Sequence, residues 1–184
     1  RHLALDIPVA LKILHSSLSS NADLDRFLRE ARVAARLRHP NIVGVLNVGH
    51  EHPYHFIIME YVDGCNLHTL IRDQEKLPLD TAVTIALQIL DGLEIAYRNS
   101  IIHRDIKPEN ILIDKEGTIK LADLGLARIN SDVTLTQTSM TLGSPNYMAP
   151  EQAENARNAD HRSDIYAFGC TLFHMITGKP PFTG

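Results

Sequence analysis

Nine residues, Ile102-His103-Arg104-Asp105-Ile106-Lys107-Pro108-Glu109-Asn110, constrain this 184-residue chain more than any other stretch. From His103 onward they put the Asp105 carboxylate, the Lys107 ammonium and the Asn110 amide within eight consecutive positions. Thirteen residues after Asn110 comes a second acid, in Asp123-Leu124-Gly125. This kit suits movement of a phosphoryl group between two oxygens. One carboxylate receives the incoming hydroxyl proton, a cation offsets charge on the transferring group, and an amide with a second carboxylate offers hard oxygens to magnesium. The bland alternatives are a turn-capping aspartate, a surface lysine and an ordinary turn asparagine.

The flanking patterns say how such a loop is held. Asp80 to Tyr97 carries Ala82, Ile85, Ala86, Ile89, Leu90 and Leu93 on one face, which predicts a long helix. It leads into Ile101-Ile102, read as a short strand feeding the loop. After the loop, Ile111 to Ile113 and Ile119 to Ala122 flank the turn signal Asp114-Lys115-Glu116-Gly117, a small hairpin whose end presents Asp123. Upstream, the aliphatic run Leu5 to Leu14 reads as a strand with Pro8 at its entry. Leu24, Phe27, Leu28, Ala31, Ala34, Ala35 and Leu37 recur at helical spacing, with Arg26, Arg29, Arg32 and Arg36 on the solvated face. Pro40-Asn41 ends that helix, and Ile42 to Val48 with Tyr54 to Met59 form a predicted hairpin. Gly49-His50-Glu51-His52-Pro53, followed by His55, fits no zinc spacing and reads as the solvated hairpin turn. Val133 to Ser144 is rich in Thr and Ser without periodicity, a loop.

In the order of these pieces the chain resembles the eukaryotic-type (Hanks-type) serine/threonine protein kinases. Residues 103–110 match the H-R-D-L-x-x-x-N pattern with Ile106 for Leu. Val9-Ala10-Leu11-Lys12 resembles the strand of the phosphate-binding lysine, and Ala149-Pro150-Glu151 closes the activation segment that Asp123 opens. Asp164-Ile165-Tyr166-Ala167-Phe168-Gly169 is similar to the start of the family's central helix. Tyr147-Met148-Ala149-Pro150-Glu151-Gln152 looks most like the bacterial members. The resemblance implies an α+β, two-lobed fold, truncated at both ends, with residues 1–60 in the small lobe and 61–184 in the large one. The chain starts almost at the lysine strand and stops soon after the central helix. It lacks the family's glycine-rich strand-turn-strand and later helices, so it reads as an incomplete catalytic domain, expected to fold poorly or be inactive by itself.

The resemblance also implies roles. Asp105 accepts or positions the substrate hydroxyl, and Lys107 contacts the transferring phosphate. Lysine at that position goes with Ser/Thr rather than Tyr substrates. Asn110 and Asp123 bind Mg2+; Leu124 stands where the family usually has Phe. Lys12 pairs with the ATP phosphates and with Glu30, since a lysine on an apolar strand is costly without a carboxylate. Glu60 and Val62 offer backbone groups to adenine, Met59 lines the pocket, and Ala10 and Leu112 sandwich the ring; plain core packing is the rival reading for these apolar residues. His103, Glu151 and Asp164 support the loop. Arg104 meets a phosphate on the activation segment, with Thr136 and Thr138 as candidates, and Ser144 bonds the catalytic Asp and Lys.

A net charge of −4 gives no basic footprint for nucleic acid, and two distant cysteines, Cys65 and Cys170, make no disulfide framework. No apolar run spans a bilayer. The implied partners are ATP, Mg2+ and protein substrates, in the cytoplasm; a homodimer for autophosphorylation, and an anchor outside this segment, stay open. A pseudokinase scaffold is the alternative from another class, opposed by the presence of Lys12, Asp105 and Asp123. A small-molecule kinase is a second, opposed by Ala149-Pro150-Glu151.

Overall fold

The computed structural model describes residues 6–14, 28, 31–32, 34–52, 54–124, 145–155 and 158–182. Its first sheet holds β1 (Val9–Leu14), β2 (Val45–Glu51) and β3 (Tyr54–Glu60) in the antiparallel order β1-β3-β2. Lys12 stands opposite the fully buried Ile57, and Ala10 opposite Met59. Ile57 packs with Ala31, Leu28, Val45, Val48 and Met59, so Leu28 and Ala31, both helical, lie on this sheet.

A second sheet is built from β4 (Gly64–Asn66), β5 (Ile111–Asp114) and β6 (Ile119–Leu121), in that order. A Cβ on Gly64 would fall 1.8 Å from the Ile113 carbonyl oxygen, so β4 approaches β5 as only glycine allows. Helix α1 (Leu67–Gln74) starts where Asn66 Oδ1 accepts the Thr69 N–H at 2.8 Å. Helix α2 (Leu79–Arg98) follows Pro78 and has Asp80 in its first turn and Arg98 in its last, charges that complement the helix dipole. Short α3 (Pro150–Glu154) opens on proline, whose missing N–H costs nothing in a first turn. Helix α4 (His161–Thr177) is capped by Asp160, and Gly178 ends it in the left-handed region at φ 77°.

The main core lies between these pieces. Ile111, Ile119 and Leu121 of the second sheet meet Ile85, Ile89 and Leu93 of α2, Leu67 and Ile71 of α1, and Ala167 and Met175 of α4. Each fully buried aliphatic side chain contributes about 1.5–3 kcal/mol, so this cluster fixes the floor on which the loop at 102–110 rests.

Three local expectations fail. The first hairpin arm begins at Val45 rather than Ile42, because residues 41–43 pair with the second sheet. Leu121 N–H donates to the Asn41 carbonyl, and Val43 N–H to the Leu121 carbonyl, both at 2.9 Å. Consequently Gly49, His50 and Glu51 lie in β2 and not in the turn; His50 faces His55 with ring centroids 4.2 Å apart. Ile101-Ile102 forms no strand, since Ile101 N–H turns back to the Ala96 carbonyl at 2.9 Å as α2 unwinds. Elements β4 and α1 went unread. Among the described residues no helix is long and apolar enough to cross a membrane, and Cys65 and Cys170 are free.

Candidate active site

The loop after α2 is hung from α4. Asp164 Oδ2 accepts the His103 N–H at 2.8 Å and Oδ1 accepts the Arg104 N–H at 2.7 Å. Burial pushes the Asp164 carboxyl up, and those two N–H donors pull it back. His103 is buried, and burial lowers its pKa, so a neutral ring fills the space behind the loop. Held this way, the backbone turns through Arg104 at φ 66°, a conformation that side-chain-bearing residues seldom adopt.

The turn brings three polar side chains together. Lys107 Nζ lies 3.0 Å from Asp105 Oδ1 and 2.8 Å from Oδ2. Asn110 Nδ2 donates to the Asp105 carbonyl at 2.8 Å and to Asp105 Oδ2 at 2.7 Å. A 3-10 turn at Pro108–Asn110 supplies the spacing, with Pro108 buried. The Asn110 amide nitrogen is thereby occupied, which leaves its oxygen as an acceptor for another group.

Asp123 reaches the same place from β6. The Ala122 N–H donates to the Asn110 carbonyl at 2.9 Å, which locks the end of the second sheet to the 3-10 turn. Asp123 itself sits at φ 62°. Its Oδ1 accepts from Lys12 Nζ at 2.6 Å, and the two side chains are 31% and 29% exposed, open enough for a ligand to reach both. The carboxylate that the described residues bring to Lys12 is thus Asp123; Glu30 lies outside them. Thr136, Thr138 and Ser144 also lie outside.

Of the other singled-out residues, Glu151 accepts the Ser163 hydroxyl at 2.6 Å, and that bond holds its carboxyl below the ordinary range. Met59 packs in the first sheet's core. Ala10 lies opposite Met59, while Leu112 pairs with Lys120 and Asn66 in the second sheet. Glu60 has a side-chain role that the sequence did not suggest. Its Oε1 lies 2.9 Å from Lys120 Nζ and its Oε2 accepts the Gly44 N–H at 3.2 Å. A depression of about 220 Å³ beside Glu60, Val62, Asp114 and Lys120 includes neither Lys12, Asp105 nor Asp123. Two further pairs were not foreseen. Buried Tyr147 and His174 share a hydrogen bond of 2.6 Å, and the Gln152 amide reaches the Arg104 carbonyl.

A lysine-flanked carboxylate, an amide and a second carboxylate with its own lysine have therefore gathered from β1, the 102–110 loop and the end of β6. The chain belongs to the protein kinase domain family, whose model matches residues 2–184. Over 177 residues it is 44% identical to the probable serine/threonine-protein kinase PknB of Lactococcus lactis, covering 96% of this chain and 28% of that protein. Over 183 residues it is 44% identical to the serine/threonine-protein kinase PrkC of Bacillus subtilis, covering 99% of this chain and 28% of that protein. The kinase domain of Mycobacterium tuberculosis PknI superposes with a TM-score of 0.79 at 29% identity, over 99% of this chain and 68% of that one. The chain spans under a third of the length of the two curated relatives.

Proposed function

We propose that the parent protein transfers the γ-phosphate of ATP to serine or threonine hydroxyls of proteins, in the cytoplasm. The observation that carries this reading is the meeting of Asp105, Lys107 and Asn110 within hydrogen-bonding distance, one backbone contact away from the Lys12–Asp123 pair. Asp105 positions the incoming hydroxyl and takes its proton. Lys107, already against that carboxylate, offsets charge on the phosphoryl group in transit. Lys12 orients the phosphates from the opposite side.

Asp123 and the Asn110 oxygen fit Mg2+. Both are hard donors, and two protein ligands suffice for an ion that keeps waters and binds phosphate oxygens. Bound there, the metal would neutralise phosphate charge. Residues 59–62 would hold the adenine, with residues 1–60 as the small lobe and 61–184 as the large. Lysine at 107 and the bacterial relatives support Ser/Thr substrates.

Switching by the activation segment belongs to the same proposal. Arg104 Nε is buried without a hydrogen-bond partner among the described residues, and a phosphate on Thr136 or Thr138 would supply one. Exchanging both threonines for alanine should lower the rate at least tenfold in a peptide-phosphorylation assay, and unchanged activity would remove the switch.

The decisive test uses the full-length protein with γ-labelled ATP and a protein substrate. Labelling is expected for the wild type and should disappear in Asp105→Asn at unchanged folded content. Robust labelling by Asp105→Asn ends the assignment.

A further inference from the structure

Gln152 follows Ala149-Pro150-Glu151 and has no part in the chemistry above. Its side chain is only 7% exposed, on α3, a helix of five residues. Its Nε2 donates to the Arg104 carbonyl at 2.9 Å, across 48 positions of sequence. That carbonyl belongs to the peptide joining Arg104 to Asp105. The same Arg104 carries φ 66° and has its N–H fixed by Asp164.

We infer that Gln152 is a positioning residue for Asp105, acting through the Arg104–Asp105 peptide; this rests on the kinase reading. A left-handed residue with a side chain is strained and persists only where its surroundings over-determine it. Asp164 fixes the amide on the N-terminal side of Arg104, and Gln152 fixes the carbonyl on the other. The two hydrogen bonds come from different helices, so they set the orientation of both flanking peptide planes. The second plane carries the nitrogen of Asp105 and so decides where the carboxylate points. Because Gln152 sits directly after the segment that closes the activation loop, a shift of α3 is felt at Asp105 without passing through Arg104's side chain. The acidic, basic and imidazole groups on the elements that meet here are His103, Arg104, Asp105, Lys107 and Glu109 on the loop, Glu151 and Glu154 on α3, and His161, Arg162, Asp164 and His174 on α4.

Two variants of the full-length protein test this. Gln152→Met keeps the shape and removes the donor; kcat per folded molecule should fall about tenfold with the KM for ATP unchanged. Gln152→Glu is isosteric and can donate only when protonated. Its kcat, taken as a ratio to wild type at each pH, should rise as pH falls from 8 to 6, which a merely structural side chain would not produce. Wild-type kcat in Gln152→Met, a loss fully accounted for by unfolded protein, or a flat ratio for Gln152→Glu would each overturn the inference. A wild type that transfers no phosphate would instead defeat the kinase reading.

Discussion

His174 shows how a single buried ring makes this chain sensitive to pH. Burial and the neighbouring His68 lower its pKa from the ordinary 6.5, while Glu109 and the Gly178 backbone pull the other way. The ring shares a hydrogen bond with the Tyr147 hydroxyl, whose own pKa burial raises. In the unfolded chain the imidazole takes a proton near pH 6.5, whereas the folded chain resists it. The contribution is therefore complete above pH 6.5 and is lost as pH falls towards the lowered folded value. Thermal melting should show Tm declining below pH 6.5, and His174→Gln should flatten part of that decline. His103 and His55, whose pKa values burial also lowers, contribute in the same direction. An unchanged pH profile in His174→Gln would count against the assignment.

Among the elements, the contact between α2 and β6 governs where Asp123 lies. A Cβ on Gly92 would come within 2.9 Å of both the Asn41 carbonyl oxygen and Leu121 Cδ1. Gly92→Val should thus wedge the helix from the strand and lower stability by about 1–3 kcal/mol, read as a shifted urea midpoint. No such glycine stands out in the sequence, where it is one residue in an otherwise continuous helical pattern. The pattern did reveal α2 and the β5–β6 hairpin, because their periodicity and turn residues are local. Asp105, Lys107 and Asn110 were legible for the same reason, being separated by two and three residues. What escaped depends on distant partners. Ile42 and Val43 look like the start of a strand, and only β6 diverts them. Gly64-Cys65-Asn66 is too short to alternate. Gln152 carries no signal of the carbonyl it meets, and Asn41, read as the end of a helix, is buried with its amide bonded to the Ile119 carbonyl at 2.8 Å and to Gln88.

On the scale of the whole molecule, polar contacts among the described residues join the two sheets beyond the Lys12–Asp123 pair. The Glu60–Lys120 pair joins the end of β3 to β6, three residues before Asp123. Lys120 is 15% exposed and Glu60 36%, so solvent screens the pair in part. A double-mutant cycle with Lys120→Met and Glu60→Gln should give a coupling of about 1 kcal/mol in chemical denaturation, and additive losses would show that the pair holds nothing together. The second tie is Leu121, gripped at both its N–H and its carbonyl by Asn41 and Val43. Only Ala122 separates it from Asp123. Residues 41–43 and the acid at the end of β6 are therefore joined through a short stretch of hydrogen-bonded backbone. A force on the chain entering β2 tugs on the carboxylate directly, its gearing already cut into the backbone.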